Sequence, residues 1–433
     1  MGLKEVLQSL IAMKQEEMPF KLLPRDQRLP VDSRKIITVP GVRRCGKSSL
    51  LMLAINELID RGVEKNRILW LSFDDERIYD LKTKDLDTVI QAYMEMYPDI
   101  DISSVYMFFD EIQLVENWDL FILRLYKSYC KNIFISGSNS KMLSTELSSV
   151  LRGWPIEYEE FPLSFREFCD FTNVKANRFT ESGRAKLLAA FKKYNSGSAF
   201  PQIVLEEDDS IRYKELQNYF NTMLFRDLVE HYNLSNSMVI RYLLKRVMLN
   251  LSKPTSVNAI YNDLKSQGLR ISKESLYLIM DYACSIFLFF KVPKFSGSMI
   301  KETSSLSKYY LIDNGLRSAV LMPQSEDEGK LFENSVFLYL RRYLKTGEKI
   351  YYYKEKNECD FVIQSGNVIS RLIQVTTELN GSNKNREIAG LLEASKYTGC
   401  DDLTIITLSQ EDSIPDNGRL IKVIPAWKWM LER

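Results

Sequence analysis

GVRRCGKSSL, residues 41–50, decides how the first third of this chain is read. It follows a short β-branched run, KIITVP at 35–40, and leads into SLLMLAINELIDRG at 49–62, which is apolar at helical spacing. Gly41, Gly46, Lys47 and Ser48 fit G-x-x-x-x-G-K-[ST], in the strand, loop, helix setting which that pattern requires. Glycines let backbone N–H groups turn inward onto phosphate oxygens, and the following helix adds partial positive charge at its N-terminus. The expected nucleotide contacts are therefore Gly41, Val42, Arg43, Arg44, Cys45, Gly46, Lys47, Ser48 and Ser49. Lys47 is expected on the β/γ-phosphates of ATP and Ser48 on Mg2+.

Three further stretches extend this reading. SSVYMFFDEIQ predicts a buried strand at Val105–Phe109 that ends in Asp110 and Glu111. Asp110 at a strand end suits Mg2+ held through water, and Glu111 suits polarising an attacking water. NIFISGSNSKML predicts another strand, Asn132–Ser136, followed by Ser138 and Asn139. Either of these two is a candidate γ-phosphate sensor, since ligands of open parallel sheets sit beyond the strand carboxyl ends. A helix cap or a turn is the alternative use of the same residues. RILWLSFDDERIYDL adds a strand at Ile68–Phe73, and strands alternating with helices predict a three-layer α/β domain. Arg152, in VLRGWPIEY, is a candidate for the arginine that a neighbouring subunit supplies in ring ATPases; a structural arginine is the other reading.

Composition bounds the rest. The chain has 433 residues, 45% hydrophobic and 27% charged, which predicts two to four domains with real cores. No stretch approaches the length of apolar sequence that crosses a bilayer, so no membrane association is expected. The N-terminus lacks a signal-peptide pattern, and Gly2 lacks the Ser or Thr at position 6 that myristoylation needs. It predicts an amphipathic helix with Val6, Leu7, Leu10, Ile11 and Met13 on one face. Six widely spaced cysteines and a lone His231 argue against a zinc site or a disulfide framework, and predict reduced thiols in a cytoplasmic protein. Net charge is +1, but residues 211–320 carry 15 Lys/Arg against 8 Asp/Glu, a surplus of seven. That is either chance variation of the surface or a basic module within a near-neutral chain.

With those residues in place, the chain resembles the prokaryotic AAA+-like P-loop ATPases that join an N-terminal ATPase domain to a C-terminal PD-(D/E)XK-like domain of unknown function. The matching stretches include GVRRCGKSSLL, WLSFDDERI, MFFDEIQLVENWDLFILRLY and EEFPLSFREFC, then KYYLIDNGL, GKLFENSVFLYLRR and NECDFVI, and they run nearly from end to end. FPLSF and LIDNGL are more specific to the family than the phosphate loop. The resemblance implies ATP binding and hydrolysis with Lys47, Ser48, Asp110 and Glu111 in the matching positions. It leaves the biological role open.

Residues 166–250 read as a helical lid and connector, and 251–322 as a winged-helix module. In the latter, SVNAIYNDLKSQG and ISKESLYLIMDYACS are the helices, and SIFLFFKVPKF and SKYYLIDN are paired strands. The second helix is the expected recognition helix, with Lys273 at its start and Lys253, Lys265, Arg270, Lys291 and Lys294 as phosphate contacts. Winged helices also bind proteins, so that alternative stands. The last segment, 323–433, reads as a restriction-endonuclease-like α/β domain. Glu333 lies on a helix, Asp360 begins a strand, and Gln374-Val-Thr376 stands where the nuclease pattern needs Glu or Asp, any residue, then Lys. One carboxylate has become an amide and the lysine a hydroxyl, which predicts a degenerate, non-cleaving domain.

The expected architecture is thus an N-terminal helical segment at 1–33, a P-loop ATPase core at 34–165, the lid, the winged helix and the nuclease-like domain. The expected function is an ATPase that couples hydrolysis to DNA binding or remodelling. DNA would be held through 251–322, with the C-terminal domain as a second contact and a homo-oligomeric ring as the expected assembly. A nucleotide-gated switch acting on protein partners is the alternative, and an active ATP-dependent nuclease is disfavoured by Gln374 and Thr376.

Overall fold

A computed structural model describes residues 2–139, 153–298, 302, 305–322, 327–416 and 418–432. The chain divides into two compact units, 1–161 with 285–287, and 162–284 with 288–433.

The first unit is built on a parallel five-stranded sheet. Its strands are β1 (Ile36–Pro40), β2 (Ile68–Ser72), β3 (Tyr106–Asp110), β4 (Asn132–Gly137) and β5 (Pro155–Glu157), in the order β2-β3-β4-β1-β5. Alternate residues of each strand face opposite sides, as the pleat demands. Leu69, Leu71, Met107, Phe109, Ile133 and Ile135 face helices α1 (Leu3–Glu17), α3 (Leu86–Met96) and α4 (Trp118–Ser128). Trp70, Phe108 and Phe134 face α2 (Lys47–Asp60), with Phe108 stacked on Phe134 at 4.6 Å between ring centroids. Burying each such side chain is worth about 1.5–3 kcal/mol, so both faces must be covered and the three-layer architecture follows. The expected strands are present with shifted ends. Val105 falls outside β3 because a short 3-10 turn, Ile102–Ser104, precedes it. Helix α1 buries Leu7, Leu10 and Ile11, but Met13 is exposed, so the apolar face is narrower than its sequence suggests.

The second unit contains a mixed six-stranded sheet of β8 (Glu348–Lys354), β9 (Glu358–Ser365), β10 (Val368–Val375), β11 (Leu403–Thr407), β12 (Asp412–Asp416) and β13 (Arg419–Pro425). The order is β12-β13-β11-β10-β9-β8. The helix Asp327–Arg342 covers one face through Phe332, Val336 and Phe337. The helix Lys384–Thr398 covers the other through Leu391 and Ala394. Helices expected to form a lid share the first of these cores: Phe165, Phe168, Phe191 and Tyr194 pack in one cluster with Phe332 and Phe361. Between them lie the helices Ser237–Leu249, Val257–Ser266 and Lys273–Ser285, and an antiparallel hairpin of β6 (Phe289–Val292) and β7 (Lys308–Leu311).

A buried polar network fixes β7 against the Asp327–Arg342 helix. Asn334 donates to the Leu311 carbonyl at 2.8 Å and accepts from the Leu311 N–H at 2.7 Å. Asn314 donates to the carbonyls of Asn195 and Leu331, and Ser335 to the Asn195 side chain. These are residues of the LIDNGL and FENS phrases. Their side chains replace backbone partners that no strand supplies. Among the described residues no helix is long and apolar enough to cross a membrane.

Gly41 follows β1 and bridges to Glu160. A Cβ there would lie 2.3 Å from the Glu160 backbone oxygen. Gly41→Ala should therefore destabilise the first unit by about 1–3 kcal/mol, as overpacking does. Scanning calorimetry of the variant reads this as a lowered first-unit transition, and an unshifted transition would refute the close-approach argument.

Candidate functional site

The phosphate loop spans the gap from β1 to α2. Arg44 (φ 63°) and Gly46 (φ 111°) both take the left-handed conformation, which turns the chain back on itself. Gly46 has no side chain to cap α2, so the first-turn N–H groups are left for an external acceptor. Beneath the loop lies a support that the motif did not announce. Arg25 donates to the Cys45 carbonyl at 2.9 Å and the Phe161 carbonyl at 2.8 Å, and forms a buried ion pair with Glu160. Cys45 is sealed in the core, and burial pushes its thiol up to about 11, so it stays protonated.

Sheet order brings the acidic residues to the loop. Strand β4 lies between β1 and β3, so the carboxyl ends of all three converge. Lys47 Nζ lies 3.3 Å from Glu111 Oε1 and donates to the Val42 carbonyl at 3.2 Å. The Ser136 hydroxyl donates to Asp110 Oδ1 and accepts the Glu111 N–H at 3.2 Å. Ser48 also hydrogen-bonds Asp110. Gln113 donates to Glu111 Oε2 at 2.5 Å and reaches Ser138 Oγ at 3.5 Å. Glu111 itself is left-handed (φ 49°), a conformation an L side chain adopts at a cost.

The electrostatics separate the two carboxyls. Burial raises Asp110, the neighbouring Glu111 charge raises it further, and the bonds from Ser136 and Ser48 only partly offset this. Burial also acts to raise Glu111, but Lys47, Gln113 and Arg43 outweigh it and hold the group below its ordinary value. Lys47 is raised: burial favours the neutral amine, and Glu111, Cys45 and Asp110 overcome that. The resting site is thus an ammonium–carboxylate pair beside a second, less acidic carboxyl. Ser48 and Asp110 present a hydroxyl and a carboxylate together, a donor set that fits a Mg2+ whose other ligands are phosphate and water.

Ser138 and Asn139 are both buried just past β4, and Ser138 meets Gln113 beside Glu111. Arg152 lies outside the described residues. Sequence reasoning missed Ser136, Gln113 and the Arg25–Glu160 pair. Ser136 was readable as the one polar residue within IFIS. Arg25 and Glu160 are far apart in sequence and carry no pattern.

A second charged cluster occupies the other unit. Lys308, fully buried, points its Nζ at Glu333 Oε1 (2.9 Å), Glu358 Oε1 (2.8 Å) and Asp360 Oδ1 (3.1 Å). The Tyr310 hydroxyl donates to Glu333 at 2.6 Å. Glu333, Asp360 and Gln374 do come together, as expected, but Thr376 does not join them. It lies just past β10, where its hydroxyl donates to the Glu378 carbonyl at 2.9 Å and accepts from Asn383. The expectation of an acid site without a lysine is also corrected: Lys308 brings a cation in from β7. That lysine went unread because it stands at the head of an apolar strand outside the segment 323–433. Burial pushes Glu333 up to about 8, and the Asp360 charge adds to it. Among the described residues, no group of three or more His, Cys, Asp or Glu side chains is arranged to hold a metal ion.

The basic surplus of 211–320 is partly internal. Lys308 and Arg317 are buried, and Arg317 is clamped by both oxygens of Asp327 at 2.6 Å. Lys294 pairs with Glu355 at 2.8 Å. Lys253, Lys265, Arg270 and Lys291 are exposed. The helix Lys273–Ser285, however, exposes Glu274, Tyr277, Leu278 and Asp281. His231 packs edge-on against Tyr232, and burial lowers its pKa.

A family described as an AAA domain matches residues 33–169. Two described as domains of unknown function, DUF8612 and DUF4143, match 188–327 and 328–429. Their boundary falls between Lys308 and the carboxylates it binds. The uncharacterized protein MJ1544 of Methanocaldococcus jannaschii is 35% identical over 421 residues, covering 95% of this chain and 91% of its own. An uncharacterized protein of Haemophilus influenzae is 28% identical over 351 residues, 80% of this chain and 84% of its own. Among solved structures, the Walker-type ATPase paby2304 of Pyrococcus abyssi aligns over 70% of this chain and 99% of its own, at 12% identity and a TM-score of 0.41. AMPPCP-bound DnaA from Aquifex aeolicus aligns over 65% and 88%, at 14% and 0.28.

The Glu333–Asp360 pair makes stability depend on pH. In the folded chain Glu333 holds a proton up to about 8, whereas an ordinary glutamate releases it near 4.5. Between those values the folded state binds more protons than the unfolded one, so stability falls as pH rises through the window. Glu333→Gln, which mimics the protonated acid, should flatten that fall. Melting temperatures of the native and variant chains across pH 5–8.5 measure it, and parallel curves would contradict it.

Proposed function

The chain belongs to the family of the M. jannaschii protein MJ1544, and we propose that it binds ATP with Mg2+ at the Lys47–Asp110 site and hydrolyses it. One observation carries this reading: Lys47, Ser48, Asp110, Glu111 and Ser136, drawn from three strand ends, meet in one hydrogen-bonded group. The AAA-domain match over 33–169 supports it.

The resting contacts suggest the sequence of events. Among the described residues Lys47 has a single carboxylate partner, at 3.3 Å. A γ-phosphate presents more negative charge than Glu111 and competes for the ammonium. Released from Lys47, Glu111 keeps Gln113 to orient it and is placed to polarise the attacking water. Mg2+, when bound, neutralises charge developing on the phosphates. Asp110 and Ser48 would hold it in place of the hydrogen bond they now share. Ser138 or Asn139, both buried just past β4, is the candidate sensor of the γ-phosphate.

Beyond the ATPase core we read 251–322 as a winged-helix module, on its order of helix, helix and hairpin. Its exposed Lys253, Lys265, Arg270 and Lys291 favour duplex DNA as the object of the work. A second reading, a nucleotide-gated contact with a protein, is favoured by the exposed face of Glu274, Tyr277, Leu278 and Asp281 on the helix expected to enter the groove. Two carboxylates there would oppose phosphate, whereas an aromatic and a leucine suit a protein surface.

Two experiments test these readings. Lys47→Ala should abolish binding of a fluorescent ATP analogue, while Glu111→Gln should keep binding and lose about 10²–10⁴ of phosphate release. Native turnover in either variant would move the site elsewhere. Duplex binding should weaken steeply with salt, and removing both Lys265 and Arg270 should lower the salt slope by about 2. No binding at about 50 mM salt would leave the protein-partner reading in possession.

A further inference from the structure

The nuclease resemblance implies a Mg2+ pocket at Glu333, Asp360 and Gln374, and the donor set does not fit one. We infer that the Lys308 ammonium permanently takes the position a divalent cation would occupy among Glu333, Glu358 and Asp360, which makes the C-terminal sheet a non-cleaving module neutralised from within its own chain. The inference is independent of the ATP reading.

The geometry is that of a filled site. An ammonium has three N–H donors, and here three carboxyl groups accept them at 2.8–3.1 Å. Further bonds hold the same three groups. Asp360 Oδ2 accepts the Val375 N–H at 3.0 Å, Glu333 Oε1 the Tyr310 hydroxyl, and Glu358 Oε2 pairs with Lys354 at 2.8 Å. Gln374 is used twice, its oxygen on the Asp360 N–H at 3.3 Å and its nitrogen on Glu387 at 2.6 Å. Mg2+ needs near-octahedral oxygens at about 2.0–2.1 Å, and any such position would place it against a fixed positive charge.

Charge balance agrees. Burial and mutual repulsion raise both Glu333 and Asp360, so the cluster holds less than its full negative charge, and Lys308 and Lys354 answer what it holds. A nuclease lysine works beside a metal and leaves the metal's position open. Lys308 leaves none. Its placement is also rigid, because β7 is bound at Leu311 by Asn334, the residue next to Glu333. The β-hairpin therefore carries its ammonium into the pocket by the same backbone contacts that fix the carboxylate opposite.

The test is Mn2+ titration of the full chain without nucleotide, followed by paramagnetic resonance, in an Asp110→Asn background that silences the nucleotide site. With native Lys308 no saturable Mn2+ site is expected. Lys308→Ala should gain one, melt lower in EDTA, and recover with Mn2+. Adding Asp360→Asn should abolish both the site and the recovery. A saturable site in the chain with native Lys308 overturns the inference, as does a folded Lys308→Ala that gains none. If Lys308→Ala does not fold, the native-Lys308 titration still decides: a saturable site refutes and a flat titration supports.

Discussion

A buried ammonium must be neutralised where it lies, and each unit of this chain is organised around one. Lys47 and Lys308 are both withdrawn from water, at 4% and 0% exposure. They differ in how completely they are matched. Lys47 has one carboxylate at 3.3 Å and a backbone carbonyl, so a stronger anion can displace its partner. Lys308 has three carboxyl groups, one for each N–H donor. The same side chain is thus an exchangeable ligand in one unit and a fixed internal counter-ion in the other. Lysine's three donors and flexible stem permit both uses.

The difference follows from topology. In the first unit, β4 separates β1 from β3, so Lys47 meets Glu111 across a strand end open to ligand. Glu111 reaches it only by leaving the strand in a left-handed conformation, and that strained turn also aims its N–H at Ser136. In the second unit Lys308 enters from a separate hairpin. The Asn334–Leu311 bonds close the gap, so the carboxylates meet a cation already in register.

What the sequence made legible follows the range of each interaction. The phosphate loop, the strands flanking it and α2 are local, since glycine placement and apolar periodicity are enough to write them down. Asp110 and Glu111 were readable because strand ends in a parallel sheet share one edge. Met13 was misread because periodicity defines a stripe wider than the surface that α1 covers. Thr376 was assigned by alignment to a motif, but its hydroxyl is taken by its own loop. Lys308 and the Arg25–Glu160 pair were illegible for a deeper reason. Each is a long-range charge contact, and nothing near Lys308 in sequence distinguishes it from a solvated lysine at a strand end.

That same limit governs how charge windows are read. A surplus of seven in 211–320 suggests a basic surface only if its members face water. Three do not serve that purpose. Lys308 is neutralised by carboxylates at 333, 358 and 360, Arg317 by Asp327, and Lys294 by Glu355. All of these partners lie beyond residue 320. A window boundary drawn through a buried ion cluster therefore counts cations on one side and anions on the other, and reports a dipole of bookkeeping where the fold has none. Lys253, Lys265, Arg270 and Lys291, by contrast, face solvent. Solvent-facing cations such as these, and not the formal surplus, are what salt screens in a contact with a polyanion.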